Sequence, residues 1–434
     1  MSESPFRAAL VERVGQRFFY GWVILAVATL GIFASGPAQS HTFSVFVGPI
    51  ADALGLSQTE IAFAYGSATL VAAFCLPFMG RYLDRVGARR MLALVALLFG
   101  TACVAFGFVG SLIWLGLGFA AMRYLGQGSL MLGSSNLVSQ WFSRRRGFAL
   151  GLMALGFAAS MAVHPAVAEW LIGAVGWREA WLWIGLSTWV LLLPAILLLA
   201  IGKPEEVGLT PDGGTAAASG RSSGPVSMTG VVADFTQREA LRSRAFYIVA
   251  GGLFTFSMLV TTLHFFQVSI FAAQNLDTGI ATTSFAISAV CMVLMMPTFG
   301  RMLDRFPTER MFGGGLLVLA ITLISASQVS GLWSALVYAV AFGAANATSM
   351  TFFSFMWPRY FGRAHLGSIQ GTGQMIGVVG ASLGPLPLGL AQDYLGGYNA
   401  MLIGLAAIPL LWALVAVLFL RQPVKPEPVK DAIR

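Results

Sequence analysis

The sequence predicts an all-α membrane protein with twelve transmembrane helices in two six-helix, pseudo-symmetric bundles. Three observations lead to this prediction. Hydrophobic residues make up 57% of the 434 residues and charged residues only 10%, whereas soluble domains are about 25% charged. Twenty-four of the 26 Lys and Arg residues fall into seven short stretches that alternate with hydrophobic blocks. Finally, a loop sequence occurs twice at a fixed spacing.

Each hydrophobic block is long enough to cross about 30 Å of hydrocarbon as a helix, because a helix rises about 1.5 Å per residue. The sequence places the twelve spans at residues 20–51, 60–82, 91–109, 112–140, 147–171, 177–201, 245–273, 279–302, 311–329, 332–356, 366–390 and 398–420.

The basic stretches predict how the chain is oriented. They occupy the two termini and every second loop between the spans, and basic loops are retained on the cytoplasmic side of a membrane. Both termini and the middle segment are therefore expected to be cytoplasmic. The net charge of +8 is spread over seven loops, so it reports topology and does not indicate nucleic-acid binding.

The chain contains two copies of one six-span unit. Residues 80–91 read GRYLDRVGARRM and residues 300–311 read GRMLDRFPTERM, 220 positions later. A second loop repeats at almost the same spacing, because WFSR at 141–144 matches YFGR at 360–363. Repeated units of this kind hold substrate near the bilayer midplane at their seam, which predicts transport by alternating access.

The repeat divides the chain into five parts. The prediction is a cytoplasmic tail at 1–19, a six-helix bundle at 20–201, a cytoplasmic linker at 202–244, a second bundle at 245–420 and a tail at 421–434. Pro, Gly and Ser make the first part of the linker flexible. Apolar residues alternate with charged ones at 231–241, which predicts an amphipathic helix on the membrane surface.

The loop between spans 2 and 3 resembles the most specific motif of the major facilitator superfamily, and the likeness covers essentially the whole chain. In that family the loop is a latch that stabilises the outward-facing state. Gly80 would let helix ends approach closely, and Asp84 would pair with Arg residues or with the positive end of a neighbouring helix. The resemblance implies a latch formed by Gly80, Asp84, Arg85, Gly87, Arg90, Asp304 and Arg305. The alternative is that the positive charges of this loop only set the topology.

Ionisable residues inside a membrane are costly and are often functional, and this sequence has few. Arg123 lies about 17 Å into span 4, near the midplane, and its surroundings resemble the family's span-4 motif. It would meet an anionic substrate or its coupled proton, or it would satisfy carbonyls and polar groups of neighbouring helices. Both interpretations stay open from sequence alone.

Three histidines are the other candidates near the core. His41 lies in span 1, His164 in span 5 and His264 in span 7. The repeat aligns His264 with Ser44, which places His41 and His264 within one turn of equivalent positions. Histidines can relay protons near neutral pH, so the three are candidates for proton coupling, although a lone histidine is more often only hydrogen-bonded. Glu169, close to the outer end of span 5, is expected to be solvated.

Polar residues on the spans would complete a site for a small polar or amphipathic solute, although each alone more often forms hydrogen bonds between helices. The candidate substrate-binding residues are Arg123, His41, His264, Gln267, Asn346 and Gln374.

The sequence carries no nucleotide-binding loop, because Lys203, Lys425 and Lys430 are the only lysines and none follows the Gly-rich pattern. No catalytic triad, paired carboxylates or Cys/His metal spacing is present. The prediction is a protein that is not an enzyme, with no cofactor and no metal.

Within the superfamily, the span 4 to 5 region and the linker entry at 203–213 resemble bacterial monocarboxylate porters and the related oxalate/formate group. The resemblance implies a proton-coupled secondary transporter of a small organic anion, a monocarboxylate, acting as a monomer in a bacterial inner membrane. The alternative is a transporter of a larger amphipathic compound, such as a drug or siderophore. A carboxylate at the centre of spans 1, 4, 7 or 10 is absent, which disfavours export of lipophilic cations.

Overall fold

A computed structural model describes residues 18–143, 145–213, 234–362 and 365–423. Within these ranges the regular structure is helical, and twelve helical crossings account for it. The first six, α1–α6, form the N-half, and the other six, α7–α12, form the C-half.

In the N-half, α1 comprises Gly21–Ala34, a 3-10 turn at Gly36–Ala38 and Ser40–Leu54, while α2 is Gln58–Val86 and α3 is Ala88–Phe106. Helix α4 comprises Leu112–Met122, a π-helical segment Arg123–Leu130 and Met131–Trp141. Helices α5 and α6 follow in Arg146–Met153 and Leu155–Leu199, divided at Gly176.

In the C-half, α7 is Arg244–Ala273, α8 is Thr278–Arg305 and α9 is Thr308–Ser327. Helix α10 is Leu332–Phe361, α11 comprises Leu366–Leu383 and Leu386–Leu395, and α12 is Asn399–Phe419. Short helical turns lie at Pro204–Val207, Pro211–Gly213 and Gln237–Leu241 in the part of the connecting segment that the structure describes.

Ten helical stretches in the described residues are long and apolar enough to cross a membrane. One of them, Gly147–Leu199, has 53 residues, or about 80 Å of helix, which is enough for two crossings. It turns at Gly176, whose φ of 82° lies in the left-handed region that glycine tolerates. Helix α4 adds the twelfth crossing. The predicted fold class is confirmed.

Helix α1 is broken halfway, at the sequence Ser-Gly-Pro. Pro37 has no N–H to donate, and the chain there forms a single 3-10 turn before the helix restarts at Ser40. The amide of Thr42 donates to the carbonyl of Gln39, so the carbonyl of Ala38 is free to accept a side-chain donor.

The two ends of the molecule differ in charge. We name the end at which α1 begins and α2 finishes the basic end, because Arg81, Arg85, Arg89 and Arg301 lie there, and the other end the far end. At the basic end, Gly87 joins α2 directly to α3 with a φ of 82°. Arg85 lies in the last turn of α2 and Arg305 in the last turn of α8. The side chains of Asp84 and Asp304 lie outside the described residues, so the latch stays a prediction.

The linker helix is described only in part. Residues 234–236 are extended and Gln237–Leu241 is helical, whereas residues 231–233 lie outside the described residues. Phe235 is buried against Phe361 and its amide donates to the carbonyl of Phe361. This described part of the segment therefore packs on the end of α10.

Side-chain hydrogen bonds join the halves at or toward the far end. Asp393 of α11 accepts hydrogen bonds from the first amides of α2, and Ser44 of α1 accepts one from the amide of Val268 in α7. Glu169 of α5 accepts one from Thr282 of α8. The seam between the halves is therefore closed at the far end.

Candidate functional site

Arg123 is held on the π-helical segment of α4 and is only 3% exposed. Its Nε donates to Thr69 Oγ1 of α2 at 3.1 Å, and its Nη1 donates to the carbonyl of Ala38 at 3.3 Å. That carbonyl is the one released by the break in α1. The break in α1 at Pro37 and the π-helical turn of α4 therefore both help to position the guanidinium.

The ring of Tyr65 lies under Arg123, 4.9 Å from Cζ to the ring centroid. Its hydroxyl is 2.6 Å from Ser40 Oγ, and its ring contacts Phe43 and Phe119 of the N-half and Phe265 of the C-half, the last at 4.4 Å between centroids. Tyr65 thus joins the buried cation to the opposite half. Sequence analysis selected neither Tyr65 nor Thr69; the signal available was the group of hydroxyl side chains at Tyr65, Ser67 and Thr69 in a mostly apolar stretch of α2.

Neutral groups supply every contact that the described residues make with Arg123. Such contacts are expected if Arg123 only satisfies carbonyls and polar groups of neighbouring helices. They use two of the five N–H donors of a guanidinium. A cation in a low-dielectric environment without a counter-charge is costly, and a bound anion would reduce that cost.

The three predicted histidines come together in one cluster at the seam. His41 Nε2 is 3.1 Å from Ser160 Oγ, and His164 Nδ1 is 3.2 Å from the carbonyl of the same Ser160. The rings of His41 and His264 are 5.8 Å apart between centroids, although they belong to different halves. Ser160, which sequence analysis did not select, links two of the three.

The His264 ring is held almost entirely by apolar and sulfur groups. Its Nε2 is 3.2 Å from Met161 Sδ, and the rings of Phe342 and Phe285 lie 4.7 and 6.1 Å away between centroids. His41 is 1% exposed and His264 is 5% exposed. Both rings are therefore buried among aromatic side chains.

The remaining predicted substrate residues lie apart from this cluster. Gln267 is fully buried, donating to the carbonyl of Ala281 and accepting from the hydroxyl of Tyr338, both at 2.8 Å. Asn346 is also buried, and its amide donates to the carbonyl of Phe342 one turn earlier. Gln374 is exposed on α11, toward the basic end. Their role in binding stays a prediction.

The expectation that Glu169 is merely solvated is wrong. Its carboxylate is half-buried and accepts a hydrogen bond of 2.6 Å from Thr282 across the seam. The sequence could not show this contact because it depends on how α5 crosses α8.

Comparison with known proteins agrees with this architecture. The family model of the Major Facilitator Superfamily matches residues 22–279 and 265–434. A solved structure of a bacterial homologue of the human lysosomal transporter Spinster, inward-facing and unoccupied, superposes with a TM-score of 0.64 at 16% identity, covering 96% of this chain and 95% of that one.

Three curated relatives differ in what their names say they carry. Human monocarboxylate transporter 11 is 26% identical over 88% of this chain and 79% of its own length. The oxalate:formate antiporter of Oxalobacter formigenes is 22% identical over 71% of this chain and 69% of its own. The multidrug resistance protein MdtG of Dickeya zeae is 24% identical over 94% and 97%.

The predicted resemblance to the monocarboxylate and oxalate/formate group is thereby confirmed at the level of sequence similarity. The twelve crossings, the repeated loops and the match over both halves lead to one conclusion about identity: the chain is a multi-pass membrane transporter that belongs to the major facilitator superfamily.

Proposed function

We propose that this transporter carries a small organic anion, a monocarboxylate, together with protons by alternating access. The observation that carries the proposal is Arg123, a buried cation near the midplane whose contacts among the described residues are all neutral. A carboxylate matches the geometry of a guanidinium with two parallel hydrogen bonds, and the relatives include transporters named for monocarboxylates and oxalate.

The histidine cluster supplies the coupling in this proposal. His41 and His264 lie on opposite halves. Protonation of either ring would therefore change the interaction between the halves, by charge repulsion or by a new hydrogen bond, at the interface that separates during transport. His164 shares Ser160 with His41, which extends the cluster to α5. Binding of the anion beside Arg123 and protonation of the cluster would then favour the same rearrangement.

The proposed setting follows from the charge pattern. The basic end and both termini would face the cytoplasm of a bacterium, because basic loops are retained on that side. With the far end closed, this conformation would be open inward. The transporter would act as a monomer driven by gradients, without catalysing a reaction.

A second candidate, transport of a larger amphipathic compound, is favoured by two observations. One relative is named as a multidrug resistance protein and matches over almost the whole chain. The seam is also rich in aromatic rings around the histidines, including Phe157, Phe285 and Phe342.

Thermal unfolding of the purified protein with a ligand panel separates the candidates. The panel contains short monocarboxylates, dicarboxylates, aromatic acids and lipophilic cations. A ligand at about 100 times its dissociation constant adds about 2.7 kcal/mol to the free energy of unfolding. We expect a monocarboxylate to stabilise the wild type and to lose this effect in Arg123→Gln.

Arg178→Gln is the matched control. Like Arg123, Arg178 makes two hydrogen bonds to neutral groups, here the carbonyls of Gly107 and Val109, but it lies at the far end, beside Trp177. It should keep the response to carboxylates. Stabilisation by bulky amphiphiles alone, with no response to any carboxylate, would reject the anion proposal and support the second candidate.

A further inference from the structure

The far end of the seam is formed by two antiparallel helix pairs, α2 with α11 and α5 with α8. Each pair contains one helix from each half. In an antiparallel pair the last turns of one helix lie beside the first turn of the other. At the far end, α2 and α8 begin, whereas α5 and α11 approach their ends.

In the first pair, Asp393 of α11 receives two backbone amides of α2. The Gln58 amide donates to Oδ1 at 3.2 Å, and the Thr59 amide donates to Oδ2 at 2.8 Å. The two helices also touch closely, because Gly389 of α11 packs against the backbone of the same two residues. The carboxylate of one half thus caps the first turn of a helix in the other.

In the second pair, Glu169 of α5 reaches the first turns of α8. Its Oε2 accepts the hydroxyl of Thr282 at 2.6 Å. A Cβ placed on Gly279, the second residue of α8, would lie 3.7 Å from Glu169 Oε1. The same arrangement of a carboxylate beside the start of a helix therefore occurs in both pairs.

Both contacts place a carboxylate of one half at the start of a helix in the other half, but their hydrogen bonds differ. Asp393 accepts backbone amides, whereas Glu169 accepts the Thr282 hydroxyl, because the Gly279 amide donates to Asp277, the N-cap of α8. The first amides of a helix have no acceptor within the helix, and they carry a partial positive charge that favours a nearby anion. Asp393 and Glu169 belong to different halves from their partners, so both contacts must break when the halves separate at the far end. They stabilise only the conformations that are closed there.

We propose that Asp393 and Glu169 are the positioning residues that hold the far end of the seam closed during the transport cycle. Each helix pair has a second carboxylate at the basic end. By sequence, Asp84 lies in the last turn of α2 and Asp304 in the last turn of α8. The four carboxylates would alternate, with one pair of contacts made in each of the two end states. This inference does not depend on the substrate.

The test is a distance measurement across the far end. Spin labels are attached at Gly110→Cys in the N-half and Ser330→Cys in the C-half, both exposed. The native Cys75, Cys103 and Cys291 are first replaced by alanine. Pulsed electron paramagnetic resonance in lipid nanodiscs then gives the populations that are closed and open at the far end.

We expect Asp393→Asn and Glu169→Gln each to raise the open-to-closed ratio about fivefold, since each removes a charge-assisted bond that is partly screened by solvent. The double variant should show the product of both. Thr282→Val keeps the charge of Glu169 but removes the hydroxyl that donates to it, which also donates to the Gly279 carbonyl within α8. It should reproduce the effect of Glu169→Gln.

The matched controls are Asp52→Asn and Glu179→Gln, two exposed carboxylates at the far end. They remove the same charge from the same membrane face and should leave the ratio unchanged. A double variant with the wild-type distance distribution would overturn the proposal. So would an equal shift in the two controls, because the effect would then come from the net charge of that face.

Discussion

The two halves share a fold but not the chemistry at their matching positions. At the spacings of the two repeated loops, Arg123 of α4 corresponds to Phe342 of α10, and Tyr65 of α2 corresponds to Phe285 of α8. In the N-half the cation lies over the tyrosine ring at 4.9 Å. In the C-half the two phenylalanines surround His264.

The backbones of these two helices differ as well. Helix α4 contains a π-helical segment that begins at Arg123, whereas α10 runs from Leu332 to Phe361 without interruption. A π-helical turn inserts one extra residue per turn and often marks a functional site. The N-half therefore carries the buried cation of the proposed site, whereas the C-half has phenylalanine at the two matching positions.

Adding a second cation at the matching position of the C-half should have the largest effect. Phe342→Arg places a charge among aromatic rings, and it should lower the free energy of unfolding by about 3–5 kcal/mol because a buried charge is left without partners. Thermal unfolding in detergent measures the loss. Phe342→Leu, which keeps the site apolar, should lower the free energy of unfolding much less. Equal losses in the two variants would show that the missing aromatic ring, and not the added charge, causes the destabilisation.

Replacing the histidine that each half contributes sharpens the comparison. His41→Gln and His264→Gln keep a side chain that can form hydrogen bonds but cannot carry a proton. We expect each to reduce carboxylate-driven proton movement about tenfold in liposomes with an internal pH dye, while carboxylate binding changes little. Proton movement at the wild-type rate in both variants would exclude His41 and His264 from coupling.

Exchanging the two matched aromatic residues should give the smallest effects. Tyr65→Phe keeps the ring under Arg123 but removes the bond to Ser40 Oγ, and it should cost about 0.5–1.5 kcal/mol of stability. Phe285→Tyr adds a hydroxyl beside His41 and His264, and we expect no gain in carboxylate binding from it. Carboxylate titrations monitored by thermal unfolding compare the two. A gain in Phe285→Tyr would mean that anion contacts are shared by both halves.

The fold was readable from the sequence because length, hydropathy and charge alternation constrain a membrane chain strongly. The break in α1 lies at Pro37, which has no backbone N–H, but Pro49 stands inside the second part of the same crossing without breaking it, so the missing amide alone does not predict the break. The meeting of His41 with His264 was indicated in part, since the repeat placed them within a turn of equivalent positions.

Other parts of the site were hidden because they depend on how helices cross. Nothing in the sequence shows that the Ala38 carbonyl turns to Arg123, or that Tyr65 lies between Arg123 and Phe265. The contact of Glu169 with Thr282 joins residues 113 positions apart. Gln267 was selected for its polarity alone, and in this conformation both ends of its amide are used within the C-half.

The most direct test of the account is uptake of a radiolabelled monocarboxylate into proteoliposomes with an imposed proton gradient. Wild type, Arg123→Gln and Arg178→Gln are reconstituted at equal density. The account predicts uptake by the wild type and Arg178→Gln, and a loss of about a hundredfold or more in Arg123→Gln, since no other buried cation in the described spans can bind the anion. Wild-type uptake by Arg123→Gln would contradict it and assign Arg123 a purely structural role.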